Sequence, residues 1–247
     1  MKIEKLKKLS NGKYKLELDN GSKIITYDEI IIKNMLFNGK TLDNKLLSEI
    51  SINNDYYDIY YKIVKMISSK WRSEKEIIDF LNKNEVTEKN QNEILNKLKK
   101  ENLINDLRYA LSYANDAVAL RKNGPLKIVQ DLKNLNISND IIDEVLAKID
   151  YDQINENLIN IITKRNKLNK TNSLYQLKMK LKNELLKLGY EEDDINKNLA
   201  KLLKEDDSVY QKEYEKLYKK YSKKYEGNEL KYKIKQALYQ KGFSYKE

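Results

Sequence analysis

The stretch GPLKIVQDLKNLNISNDIIDEVL, Gly124 to Leu146, decides the fold, because its grammar returns at three other places in the chain. Ile128 and Leu132 stand four apart, the run breaks at Asn136, Ile137 and a polar Ser138 follow, and Ile142 and Leu146 form a second four-spaced pair. Spacing of four puts both members of a pair on one helix face, so the stretch predicts two amphipathic helices joined by a tight turn. Aligned on Leu132, the same frame stands at Leu81, Leu185 and Leu238, and successive anchors lie 51, 53 and 53 residues apart. Four residues before each anchor is Ile77, Ile128, Leu181 or Ile234, and five after it is Val86, Ile137, Tyr190 or Phe243. Between them, at Glu85, Asn136, Gly189 and Gly242, the first helix must stop, often in a left-handed conformation that glycine and asparagine tolerate. Thr87, Ser138 and Ser244 come next, good N-caps for a following helix, with Glu191 as the exception. Five aligned positions in four places make an internal repeat.

A period of this length leaves room for a leading helix in each unit. The candidates are Tyr56 to Ile67, Asp106 to Arg121, Asn155 to Leu168 and Tyr210 to Tyr225, so each unit reads as a three-helix bundle. Ser73-Glu74-Lys75-Glu76 forms a capping box before the second helix of the first unit, and Asn105 is positioned to cap the second leading helix. Ser244-Tyr245-Lys246-Glu247 has the same pattern at the end of the sequence, which leaves the fourth unit without a third helix. Ahead of the repeats, Asn11-Gly12 and Asn20-Gly21 separate alternating runs and predict a three-stranded meander over residues 2 to 27. Asp28 is placed to cap a short helix from Glu29 to about Phe37, and Gly39 to stop it. Asn53-Asn54-Asp55 reads as the end of this module. The expected fold is mainly α, tandem three-helix units in an elongated, solenoid-like body behind a small N-terminal β-hairpin or meander module. Its expected divisions are 1–53 for the β module, 54–104, 105–151 and 152–207 for three complete units, and 208–247 for an incomplete fourth.

Composition agrees and narrows the chemistry. Charged residues make up 35% of the 247, with one Pro and seven Gly, the profile of a long-helix protein. Cysteine and histidine are both absent, which removes thiolate nucleophiles, the usual zinc sites and the base that titrates near neutrality. No catalytic, cofactor or metal residues are therefore expected. Glu191, Glu192, Asp193 and Asp194 are the one acidic cluster an enzyme could use, but acids opening a helix are explained by its positive end. No apolar run reaches the roughly 18 residues of a membrane span, and the start MKIEKLKKLS lacks an apolar signal core, so a cytoplasmic protein without membrane contact is expected.

The formal charge of +10 is concentrated in the last third, with +7 between Lys164 and Lys187, −4 from Glu191 to Asp207 and +6 from Val209 to Glu247. Such clustering favours a polyanion or an acidic protein as partner. The basic stretch Lys164, Arg165, Lys167, Lys170, Lys178, Lys180 and Lys182 is the candidate contact surface, with Arg72, Lys75, Arg121 and Lys122 at unit corners. Arg121 and Lys122 also end a leading helix, where cations offset the dipole, so capping explains them as well as phosphate contact does. Tyr210, Tyr214, Tyr218, Tyr221 and Tyr225 share one helix face and read as core-facing rather than as a base-stacking platform, because only Val209 and Leu217 otherwise offer apolar bulk there. Trp71 reads as a packing residue.

Arg72-Ser73-Glu74 opening a helix, Leu103-Ile104-Asn105-Asp106 leading into Tyr109-Ala110, Gly124-Pro125 before Ile128 and Leu132, Leu188-Gly189-Tyr190 and Lys241-Gly242-Phe243 together resemble the RecX regulatory proteins of bacteria. The resemblance covers about residues 56 to 247, and the hairpin module looks like the N-terminal extension of longer members. Asn136 and Glu85 depart from it, standing where the pattern favours glycine. It implies a non-enzymatic modulator, acting as a monomer, in DNA repair, homologous recombination and the SOS response. Its partner would be the RecA filament on single-stranded DNA, with direct DNA contact as a further role, and its effect would fall on RecA ATPase, filament extension and strand exchange. A basic architectural DNA-binding repeat protein without a RecA partner is the alternative reading, favoured by high DNA affinity that falls steeply with salt.

Overall fold

A computed structural model of the chain describes residues 1–9 and 12–244. The chain divides into two compact units, Met1–Asn105 and Asp106–Glu247.

The first unit opens with an antiparallel sheet of β1 (Ile3–Lys8), β2 (Tyr14–Leu18) and β3 (Lys23–Thr26), in sequence order. Leu6 faces Leu16 across the first pair, and Leu16 faces Ile24 across the second. The second turn follows its sequence signal: Gly21 takes φ +78° and Asn20 Oδ1 accepts from the Ser22 amide at 3.0 Å. In the first turn Gly12 takes φ +81°, while Asn11 lies outside the described residues. Ile3, Leu16 and Leu18 are buried with Ile30, Leu36, Leu42 and Ile50, which come from α1 (Asp28–Lys33), the loop after it and α2 (Asn44–Ser69). Asp28 is the first residue of α1 and not its cap. Tyr27 holds the cap position without a side-chain bond, and the helix ends at Lys33, before a left-handed Met35 and well before Gly39.

The largest departure from expectation is α2. It runs unbroken for 26 residues through Asn53-Asn54-Asp55, where a boundary was expected, and starts twelve residues before the predicted leading helix. The asparagines are held by side-chain bonds instead of forming a turn. Asn53 Nδ2 donates to the Glu49 carbonyl at 2.8 Å, and Asn54 bridges the sheet, donating to the Ile25 carbonyl and accepting from Thr26 Oγ1, both at 2.9 Å. Tertiary partners override the weak helix propensity of asparagine. Lower on α2, Tyr60 and Ile63 pack with Ile77 and Leu81 of α3 (Glu74–Lys83) and with Ile94, Leu95 and Leu98 of α4 (Glu88–Lys100). The predicted capping box at Ser73 and Glu76 is formed.

The second unit contains α5 (Asp106–Ala119), α6 (Pro125–Asn134), α7 (Asn139–Leu146), α8 (Tyr151–Leu168), α9 (Leu174–Lys187), α10 (Glu192–Leu202), α11 (Asp207–Tyr221) and α12 (Gly227–Gln240). Helices α5 to α10 share one core around Leu132, Leu158 and Leu185, and α11 and α12 close a smaller one around Leu217, Ile234, Leu238 and Phe243. The end of the predicted capping box at Ser244, residues 245–247, lies outside the described residues.

Leu81, Leu132, Leu185 and Leu238 are all buried, and each accepts the same bond five residues on: from Val86, Ile137, Tyr190 and Phe243 at 3.1, 3.1, 3.2 and 3.0 Å. The preceding residue donates to the carbonyl three residues back in all four places, as Glu85 does to Asn82 and Gly189 to Leu186, both at 3.0 Å. Those preceding residues have φ of +54°, +57°, +81° and +73°. Paired back-bonds around one left-handed residue form a Schellman stop, repeated at each anchor. Thr87 and Ser138 then hold the N-cap positions of α4 and α7, although neither side chain makes the capping bond.

Candidate nucleic-acid and partner interface

The seven cations of the basic stretch come from two neighbouring helices and their connection: Lys164, Arg165 and Lys167 from the last turns of α8, Lys170 from the connection, and Lys178, Lys180 and Lys182 from α9. A groove of about 380 Å³ lies between them, lined by Arg165, Leu168, Asn169, Asn172, Leu177, Lys180, Leu181 and Glu184. Its rim is rigid. The Asn169 side chain donates to the Asn172 carbonyl at 2.7 Å and accepts from the Asn172 amide at 3.0 Å, and Lys180 Nζ donates to Asn172 Oδ1 at 2.5 Å. Two of the seven charges are already paired: Arg165 with Glu184 at 2.7 Å, which raises the guanidinium pKa, and Lys182 with Glu192 at 2.5 Å, which lowers that carboxyl. Lys164, Lys167, Lys170 and Lys178 are exposed and, among the described residues, make no ion pair.

The corner residues are occupied with local structure. Arg72 Nη1 sits 3.1 Å from Glu76 Oε1, the carboxylate that also caps α3, while its Nε is buried without a hydrogen-bond partner. Lys75, on the first turn of α3, is half-buried. The Arg121 guanidinium lies over the Tyr113 ring at 4.2 Å and donates to both the hydroxyl and the carbonyl of Tyr113 at 3.2 Å. Tyr113 in turn donates to Asp131, which also pairs with Lys127 at 2.7 Å. Burial and then that carboxylate push the Tyr113 hydroxyl up to about 12. Burial alone would raise the Asp131 carboxyl, but Lys127 and Tyr113 hold it below the ordinary aspartate range. Lys122 takes φ +59° and its Nζ reaches the Ala119 carbonyl at 2.7 Å, the helix-capping role that competed with phosphate contact.

Other aromatic residues sit differently from expectation. Tyr210 is buried and Tyr214 and Tyr221 are packed against its core, but Tyr218 is 48% exposed, so the α11 stripe is core at its start and surface in its middle. Trp71, in the connection between α2 and α3, is 40% exposed. In the first unit a tyrosine cluster that the sequence reading did not single out joins the sheet to the helices. Tyr27 stacks on Tyr61 at 5.0 Å, Lys13 lies 4.7 Å over the Tyr27 ring and pairs with Asp58 at 2.7 Å, and Lys97 rests against Tyr57 and Tyr60 at 4.7 and 4.3 Å. Also missed were Tyr175, Tyr232 and Tyr239, exposed on α9 and α12; the signal was available, since each is out of phase with the buried positions of its helix. No group of carboxylates able to hold a metal occurs among the described residues, and no helix among them is long and apolar enough to cross a membrane.

The matches to known proteins follow the repeats. A family model described as the second three-helix domain of RecX matches residues 105–146, and one described as its third three-helix domain matches residues 205–246. The regulatory protein RecX of Bacillus cereus (strain 03BB102) is 33% identical over all of this chain and 94% of the relative, and that of Bacillus mycoides (strain KBAB4) is 32% identical with the same coverage. A crystal structure of regulatory protein RecX shares the fold with TM-score 0.66 at 23% identity, over 79% of this chain and 97% of that one. RecX from Lactobacillus salivarius matches with TM-score 0.55 at 27% identity, over 61% and 97% of the two chains. With four Schellman corners, two matched domains and relatives aligned along its whole length, the chain belongs to the RecX family of regulatory proteins.

Proposed function

We propose that this regulatory protein binds the RecA nucleoprotein filament on single-stranded DNA and restrains its ATPase, its extension and strand exchange. It does so as a monomer in the cytoplasm, and without catalysis of its own. The family resemblance supplies the partner, and the observation that carries the reading is the set of unpaired cations, Lys164, Lys167, Lys170 and Lys178, beside the groove of α8 and α9. A filament groove exposes protein carboxylates and DNA phosphates, both complementary to such a surface. Arg165, Lys180 and Lys182 extend the same patch. The Arg165–Glu184 and Lys182–Glu192 pairs lie at the surface, and such ion pairs exchange for about 1 kcal/mol or less. Arg72, Lys75, Arg121 and Lys122 act as orienting contacts, each within its own unit, and intramolecular bonds fix the direction of Arg72, Arg121 and Lys122.

The test is RecA's DNA-dependent ATPase with the wild-type chain and with a variant whose seven cations of the basic stretch are changed to glutamine. Long-range steering predicts that the variant associates more slowly, dissociates at nearly the wild-type rate, and converges on wild type as salt is raised. If the wild-type chain at saturation leaves ATPase, filament length and strand exchange unchanged, the filament reading fails. The architectural DNA-binding reading, supported by the same charges, then replaces it if DNA affinity is high and strongly salt-dependent.

A further inference from the structure

The most exposed aromatic rings of the second unit are Tyr239, at 81%, and Tyr175 and Tyr232, each at 63%. Two of them flank one junction. Ser173 Oγ donates to the Lys241 carbonyl at 2.7 Å, and a Cβ placed on Gly242 would lie 3.1 Å from Tyr175 Cδ1, so the start of α9 is seated against the corner that ends α12. Tyr239 is three residues before that corner, and its carbonyl accepts from the Gly242 amide at 2.8 Å. Tyr232 lies two turns earlier on α12, about 10 Å along the axis. The buried positions Ile234, Ala237 and Leu238 turn the other side of the helix inward.

Cations accompany the rings. Lys178 follows Tyr175 by one turn, Lys231 adjoins Tyr232, and Lys235 stands between Tyr232 and Tyr239, all exposed. Acids stand nearby as well: Glu205 and Asp206 line a small pocket with Leu174 and Phe243, Glu213 is held by Lys241 at 2.5 Å, and Glu229 opens α12. We infer that this face stacks the bases of single-stranded DNA on Tyr175 and Tyr239, with Tyr232 extending the platform and Lys178 and Lys231 meeting the phosphates. The chemistry selects that ligand. Open rings interleaved with lysines match a chain that offers a flat base and a charge at each step. A duplex keeps its bases stacked away from such rings, and an acidic peptide uses the lysines but leaves the rings in water. The inference deepens the filament reading, on which it rests, by naming a direct DNA contact outside the seven-cation patch except for Lys178.

The experiment follows fluorescence anisotropy of a labelled oligo(dT) strand and of a duplex of equal length, titrated with the full chain. The wild type is expected to prefer the single strand. Y175S/Y239S should weaken single-strand binding by about fivefold or more per ring, while Y175F/Y239F, which keeps both π faces, stays close to wild type. The serine variant should retain the wild-type salt slope, and K178Q/K231Q should lower it by roughly 0.7 for each phosphate no longer neutralised. Circular dichroism checks the fold, and the single variant Y239S, altered at the most exposed ring, serves if the double variant does not fold. Serine variants that are folded and bind like wild type overturn the inference, as does phenylalanine failing where serine fails. Loss of RecA inhibition in Y175S/Y239S with oligonucleotide binding intact also overturns it, making the face a protein contact. A wild type that inhibits RecA but binds no oligo(dT) removes the stacking face and leaves the filament reading standing. One that binds oligo(dT) through the rings and leaves RecA untouched does the reverse.

Discussion

The four helix corners share one backbone conformation but not one residue, and the pair Glu85 and Asn136 differs instructively from the pair Gly189 and Gly242. All four have positive φ and the same two back-bonds, so the left-handed turn alone does not demand glycine. What demands it is a neighbour. A Cβ on Gly189 would stand 2.2 Å from the Lys127 amide nitrogen, and a Cβ on Gly124, across the same seam, 2.3 Å from the Gly189 carbonyl oxygen. The backbones touch there through real bonds: the Gly124 amide donates to Leu188 at 2.7 Å, the Leu126 amide to Gly189 at 3.0 Å, and the Tyr190 hydroxyl to Lys122 at 2.8 Å. Glycine in this repeat therefore marks where one three-helix element is seated on the next, and the residue at each corner distinguishes turning from docking.

The sharpest way to break this distinction is at the seam itself. Gly189→Ala adds the left-handed penalty of about 1–2 kcal/mol to a clash with backbone, so chemical denaturation should show a loss of about 3 kcal/mol or more. Gly124→Ala, where φ is an ordinary −83°, should cost less by roughly that first amount. Equal losses in the two variants would mean that conformation contributes nothing at Gly189. At the second seam, Ser173 is buried and its hydroxyl both donates to Lys241 and accepts from the Gln176 amide at 3.2 Å. Ser173→Ala should cost about 1–3 kcal/mol, and it should make Gly242→Ala cheaper than in the wild type, because the first atom a Gly242 Cβ meets is Ser173 Oγ at 2.9 Å. Additive losses in that double-mutant cycle would uncouple corner from cap. The smallest effect is expected at Glu85→Gly: relief of the left-handed cost is largely offset by about 0.5–1 kcal/mol of added chain entropy, a net gain of about 1 kcal/mol or less. A loss there would show that Glu85 makes a contact as important as those at the glycines.

Much of this fold was legible because the repeat writes it four times. The anchors Leu81, Leu132, Leu185 and Leu238 and the corner residues after them are set by local rules, a buried helix face and a left-handed stop, and both rules leave a residue signature. Asn53 and Asn54 misled because their roles are tertiary: the bond of Asn54 to Ile25 and Thr26 spans nearly thirty residues, and no local pattern announces it. The candidate surface was legible as charge and not as pairing. Nothing in the spacing of Arg165 and Lys182 indicates that Glu184 and Glu192 already hold them, while Lys164, Lys167, Lys170 and Lys178 stay open. The tyrosines show the same limit. Five stand at helical spacing between Tyr210 and Tyr225, whereas Tyr175 comes to the corner that follows Tyr239 only because α9 is seated against Gly242.

The uninterrupted α2 carries a consequence for how this protein can be taken apart. A segment that looks like a detachable prefix shares its longest rod with the first three-helix element, and Asp58, on that rod, is held by Lys13, just before β2, and by the Tyr27 hydroxyl. Tyr61 of the same rod is tied through Glu29 to α1, and Lys97 of α4 reaches the same carboxylate. Cutting at residue 53 would sever a helix in mid-course, leaving the buried Ile50 on one fragment and Tyr60 on the other. The prefix and the first element should therefore melt in a single cooperative step, inherited as one mechanical piece however the gene came to be assembled.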